Sequence, residues 1–152
     1  MKVLSALVLS LFTTFAFAAE LTIVGKDGAR DVVDADVLAE RFPAEPFTTA
    51  NPWVPTPLEY TGIDLQALLD AYGLDDVAVR LSAIGNYSVV MQPGELATLK
   101  QSMLAITKGG KPLSRRDFGP SWLMMNFDAY PEIDVERTRN LSIWQLTEIR
   151  PE

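Results

Sequence analysis

The side chains best placed to do chemistry lie between positions 108 and 127. Lys108, Lys111, Arg115 and Arg116 fall within nine residues, and Asp117 follows directly. No acidic residue separates Glu95 from Asp117, so positive charge, hydrogen-bond donors and aromatic neighbours concentrate here in an otherwise acidic chain. Two guanidinium groups beside one carboxylate are the complement of a flat polar heterocycle. A ring edge that donates two hydrogen bonds faces the carboxylate, a carbonyl edge accepts from a cation, and an aromatic side chain covers the face. Trp53, Tyr87, Trp122 and Trp144 are the candidate platforms. Trp53 stands out among them, because a tryptophan inside a proline-rich segment has less reason to be core than one on a strand. Asn86 and Tyr87, at a turn-to-strand junction, aim side chains over a sheet edge.

Each of these residues also has a plainer reading. Arg115 and Arg116 suit a solvated turn, Asp117 suits a brace for the turn before Gly119-Pro120, and turn chemistry alone explains Asn86. Trp122 and Trp144 suit a core.

What the chain lacks narrows the chemistry further. With no cysteine and no histidine there is no thiolate nucleophile, no Ser-His relay, and neither of the commonest transition-metal ligands. Asp75-Asp76 and Asp134-Val135-Glu136 do not have the spacing of a loop that wraps calcium. A formal net charge of -7 argues against nucleic acid or an anionic membrane face, both of which recruit Lys and Arg. A soluble partner or a neutral, locally complemented small ligand remains.

Met1 and Lys2 precede an apolar run over residues 3–17 that ends in Ala16-Phe17-Ala18, the pattern of a cleaved secretory signal peptide over residues 1–18. The run is shorter than the roughly 20 apolar residues of a membrane span. A single exported domain over residues 19–152 is expected. A domain of that size folds without staples, in keeping with the missing cysteines.

The elements that must position these side chains read as α+β. Strands are expected at 20–24, 77–81, 87–91, 103–107, 111–113, 121–127 and 142–149. The Gly85-Asn86 and Gly109-Gly110 pairs mark turns between neighbouring strands. Helices are expected at 34–41, opened by Asp34 or Asp36 and stopped by Pro43, at 63–72, where Leu65, Leu68, Leu69 and Tyr72 share a face, and at 93–101. Residues 42–57 hold five prolines in sixteen positions and read as an extended connection.

Several short motifs occur in a telling order. They are Trp53, Tyr60-Thr61-Gly62-Ile63-Asp64-Leu65 with Leu68-Leu69, Gly85-Asn86-Tyr87-Ser88-Val89 with Gly94-Glu95-Leu96, Gly110-Lys111-Pro112-Leu113, Gly119-Pro120, and Ile143-Trp144-Gln145-Leu146. In order and spacing they resemble the molybdopterin-binding domain of the sulfite-oxidase family over about residues 50–149. The resemblance implies an α+β fold with a mixed, partly barrel-like sheet around a pterin pocket. The family's enzymes ligate molybdenum through a cysteine upstream of the tryptophan element, where residues 47–51 here read FTTAN. They carry a histidine before the glycine-proline strand, where Asp117-Phe118 stands here.

These departures make the chain similar to a short exported branch that includes periplasmic pterin-binding regulators of cyclic-di-GMP enzymes. The resemblance thus implies a non-catalytic sensor that binds a pterin, not a molybdenum cofactor, and docks on the periplasmic part of a membrane signalling protein. Its expected ligand residues are Trp53, Asn86, Tyr87, Arg115, Arg116, Asp117 and Trp144, with no catalytic residue and no metal ligand. Asp117 would hold the amino-pyrimidine edge, Arg115 or Arg116 the carbonyl side, and Trp53 the ring face. Two alternatives stay open. One is a molybdenum-cofactor-dependent oxidoreductase, or its subunit, that holds the cofactor through pterin contacts alone. The other is a ligand-free interaction module that uses Trp53 and the acidic stretch at 31–40.

Overall fold

The computed structural model describes residues 20–152; the leader expected at residues 1–18 lies outside the described residues. Two five-stranded sheets carry the fold. The first runs in the order β2-β1-β10-β5-β6, built from β1 (Leu21–Val24), β2 (Arg30–Val33), β5 (Val79–Ala83), β6 (Ser88–Met91) and β10 (Leu146–Pro151). It is mixed, because β1 and β10 pair in parallel with Ile23 opposite Ile149 while the other pairs are antiparallel. The second runs β3-β4-β7-β8 with β9 also on β7, built from β3 (Ala44–Asn51), β4 (Val54–Asp64), β7 (Ser102–Lys108), β8 (Lys111–Pro112) and β9 (Trp122–Met125). The expected single, partly barrel-like sheet is therefore two separate sheets, and neither closes into a barrel.

The proline-rich stretch is extended, as its composition required, but it forms a hairpin where a connection was expected. β3 lies at a sheet edge, where Pro46 removes no interior ladder bond. Pro55 and Pro57 lie in the part of β4 that reaches past β7, which pairs only from Tyr60 onward. Farther along β4 the backbones of Gly62 and Leu104 are so close that a Cβ at 62 would enter the Leu104 carbonyl.

Among the described residues, four short helices connect the strands: α1 (Ala35–Arg41), α2 (Leu65–Ala71), α3 (Glu95–Thr98) and α4 (Glu136–Leu141). Asp34 caps α1 by accepting the Val37 amide at 2.9 Å, as its position before the helix suggested. The second helix starts two residues later than its periodicity predicts. Ile63 and Asp64 finish β4, and Asp64 turns to accept the Ala67 amide at 2.8 Å. The last strand likewise starts at Leu146, because Gln145 adopts a left-handed backbone (φ 55°) and Trp144 makes only an isolated bridge to Trp122. Strand β2 and helix α4 have no counterpart in the expected elements.

The interior divides into two clusters. The larger is almost wholly aliphatic, with Leu65, Leu68 and Leu69 of α2 packed on Ile23, Leu81, Leu104 and Ile149. The smaller is aromatic: Tyr60 and Trp122 are fully buried, and Trp53, Phe118 and Trp144 lie partly exposed against them. Among the described residues, no helix is long and apolar enough to cross a membrane.

Candidate functional site

The tip of the β3–β4 hairpin is built by one amide side chain. Asn51 is 6% exposed, and its Oδ1 accepts the backbone N–H groups of Trp53 (3.1 Å) and Val54 (2.9 Å). Its Nδ2 donates to the Tyr60 hydroxyl at 3.3 Å. Both ends of the amide are therefore used to turn the chain and to present Trp53. The indole then packs edge-on against Trp144 (ring centroids 5.3 Å) and Trp122 (5.7 Å). Trp122 is fixed in turn by its Nε1–H, which donates to the Ser142 carbonyl at 3.1 Å.

Trp53 and Trp144 form one wall of a cavity of about 350 Å³, a volume typical of small-ligand sites. The β5–β6 hairpin adds Ile84 and Tyr87 to the lining, which are 45% and 51% exposed. The end of α4 and the segment after it add Arg139, Asn140, Ser142 and Gln145. Across this rim the Tyr87 hydroxyl donates to the Asn140 carbonyl over a long 3.5 Å.

Among the described residues, the polar groups that line the cavity are mostly neutral, and no carboxylate lines it. Its cation is Arg139, whose Nε donates to Asp134 Oδ1 at 2.7 Å. The guanidinium is thereby held from one edge, while its terminal Nη groups have no hydrogen-bond partner among the described residues. Arg139 holds the Asp134 carboxyl below the usual aspartate range.

The expected site residues divide between this cavity and its surroundings. Trp53, Tyr87 and Trp144 come together around it. Asn86 stays at the hairpin tip, exposed, with a left-handed φ of 61° that asparagine tolerates better than most residues. Arg115 lines a neighbouring depression, and Arg116 and Asp117 line neither. Both carboxylate oxygens of Asp117 have hydrogen-bond partners. It accepts from Lys108 Nζ, and from Ser114 Oγ at 2.8 Å. Lys108 first, and Ser114 second, hold its carboxyl low. In this position it braces the 3-10 turn over Arg115–Asp117, as the plainer reading of this residue had it.

Ala83, Ile84, Arg139, Asn140, Ser142, Ile143 and Gln145 are the lining residues that sequence reasoning missed. Gln145 stood inside a quoted motif, but Arg139 and Asn140 lie in a polar stretch with no periodicity to mark it.

No family model matches the chain, and no curated protein matches it. Among solved structures, the chain is similar to the sulfane dehydrogenase SoxCD from Paracoccus pantotrophus, with a TM-score of 0.60 at 15% identity over 87% of its own length. It spans only 37% of that chain. The likeness is one of fold. It agrees with the sulfite-oxidase-like α+β arrangement that the order of motifs implied.

A molybdenum centre of the kind that this fold family implies can be tested against the residues present. No group of three or more Asp, Glu, His or Cys side chains converges among the described residues. In the stretch where the family places its thiolate, the Asn51 amide is committed to two backbone N–H groups and a phenol. The protein side chains therefore do not fit a metal. The aromatic wall and neutral polar rim do fit the organic, pterin part of such a group.

Proposed function

We propose that the chain is a non-catalytic pterin-binding protein whose ligand lies in the cavity between Trp53, Trp144 and Tyr87. The observation that carries this reading is a cavity with aromatic walls, one oriented guanidinium and otherwise neutral polar groups, in a chain with no thiolate or imidazole. A pterin ring is neutral and flat. Its carbonyl edge accepts from the free Nη groups of Arg139, and its amino edge donates to amide or hydroxyl oxygens such as those of Gln145, Asn140 and Ser142. The indoles of Trp53 and Trp144 shield its faces and edges.

In this reading the protein is exported and senses a pterin in the periplasm. It passes the signal on by docking to the periplasmic part of a membrane signalling protein. The exposed Ile84 and Tyr87 at the cavity rim support such a role, since a ligand seated between them alters the apolar surface a partner meets. Titration with a reduced pterin, followed through tryptophan fluorescence, tests the binding, because two of the three tryptophans line the cavity. A saturable change in the micromolar range is expected, and its absence overturns the proposal.

The fold likeness to a sulfane dehydrogenase favours a second reading, an oxidoreductase or subunit that holds a molybdenum cofactor through pterin contacts alone. Metal analysis of protein exported from a molybdenum-competent host separates the two. Stoichiometric molybdenum would establish the second reading at the expense of the first.

A further inference from the structure

The cations of this acidic chain are unevenly placed. Eight of the thirteen lysines and arginines form ion pairs among the described residues. Of the other described ones, Lys111, Arg115 and Arg116 fall within six residues of one another and are exposed, and Lys100 stands apart between α3 and β7.

A hairpin and a turn carry this charge, and one ion pair clips them together. In the β7–β8 hairpin Lys111 stands opposite Lys108. Lys108 reaches Asp117 at the end of the 3-10 turn, where Asp117 also accepts from Ser114 Oγ at 2.8 Å. Asp117 is the one acidic residue between positions 108 and 117. It is engaged by Lys108, so the adjacent Arg116 and the cross-strand Lys111 have no counter-charge among the described residues. Cations held near one another in this way repel, and an anionic partner that meets both relieves that repulsion. Neither Lys111 nor Arg116 lines the aromatic cavity or the neighbouring depression. Their charge is therefore open to a partner from solvent.

The surroundings of the turn select the class of partner. Arg115 lines its depression together with the exposed Ile84, and its carbonyl accepts from Gln145 Nε2 at 3.0 Å. An exposed apolar side chain beside a small cationic rim is the make-up of a contact between proteins. A nucleic acid or an anionic bilayer spreads its charge over a far larger area, and a chain with a formal net charge of -7 is repelled there. A short acidic segment meets the cations without meeting that repulsion.

We propose that the clipped hairpin and turn carrying Lys111 and Arg116 are a docking surface for an acidic segment of a partner protein. This rests on the docking that the proposed function includes and names its surface, but it does not depend on the pterin.

A fluorescein-labelled hexaglutamate peptide titrated against the full chain tests the surface. Saturable binding is expected, and it should weaken as salt is raised from about 20 to about 200 mM. K111Q and R116Q should each weaken it about fivefold, whereas K100Q, which removes the same charge elsewhere, should change it by less than about twofold. Tetrahydrobiopterin should bind K111Q as it binds the unaltered chain. Equal losses in K100Q, K111Q and R116Q would reduce the effect to net charge and overturn the proposal. Displacement of the peptide by inorganic phosphate at equal charge concentration would overturn it too, as would tighter binding to phosphatidylglycerol vesicles or to a single-stranded oligonucleotide. A chain that binds tetrahydrobiopterin but not the peptide overturns the docking surface alone. One that binds the peptide as expected but no pterin leaves the surface standing and overturns the pterin reading.

Discussion

The two hydrophobic clusters are built on opposite plans. The aliphatic cluster is closed: Leu65 and Leu68 are wholly buried, Leu69 is nearly so, and the branched side chains of both sheets interlock around them. The aromatic cluster buries Tyr60 and Trp122 together with Phe47, Met103, Ala105, Leu113 and Met124, and stays partly open at Trp53, Phe118 and Trp144. Aliphatic side chains gain from complete removal from water and close-packed contact. Large rings held edge-on leave concave faces between them. The first plan yields stability, and the second leaves an open aromatic wall.

Substitutions at the two clusters should separate these roles. Leu68→Ala is expected to have the largest effect, a loss of about 2–5 kcal/mol in urea unfolding, with pterin affinity retained by the folded fraction. Asn51→Ala should cost about 1–3 kcal/mol by leaving two turn amides and the Tyr60 hydroxyl without their partner, and should weaken pterin binding because Trp53 loses its setting. Trp53→Ala reverses the balance. A loss of affinity of about tenfold or more is expected by fluorescence or calorimetric titration, at a smaller cost in stability than Leu68→Ala, since Trp53 is only partly buried.

The smallest effect concerns Arg139. The depressed carboxyl of Asp134 means that the ion pair is present at neutral pH and is lost as pH falls below the ordinary aspartate range and through the lowered value. Pterin affinity should be flat above about pH 5 and fall below about pH 4. Asp134→Asn should give about a threefold weaker affinity at neutral pH and remove that acid limb. An unchanged acid limb in the variant would show that Asp134 does not set the Arg139 geometry.

Much of the closed region was legible in the sequence. The leucine spacing of α2, the cap at Asp34 and the glycine turns at 85 and 109 are local signals that tertiary packing did not override. The open region was legible only in part. Composition pointed to Trp53, Tyr87 and Trp144, but the cavity's cation comes from α4, a six-residue helix with the polar sequence ERTRNL, whose place is set by contacts such as Arg137 on Glu95. The contacts of Asp117 were hidden for a related reason. Adjacency in sequence grouped it with Arg115 and Arg116 in one ligand-binding turn, whereas the β7–β8 hairpin brings Lys108 back to it from nine positions away.

Asn51 carries a last consequence, for anyone who would engineer the chain toward redox work. A cysteine at that position would supply sulfur but no oxygen to receive the amides of residues 53 and 54, so the hairpin tip would come undone in the act of making the ligand. The turn behaves as a ratchet: a metal-binding descendant would have to find another way to bend the chain before it could spare this side chain.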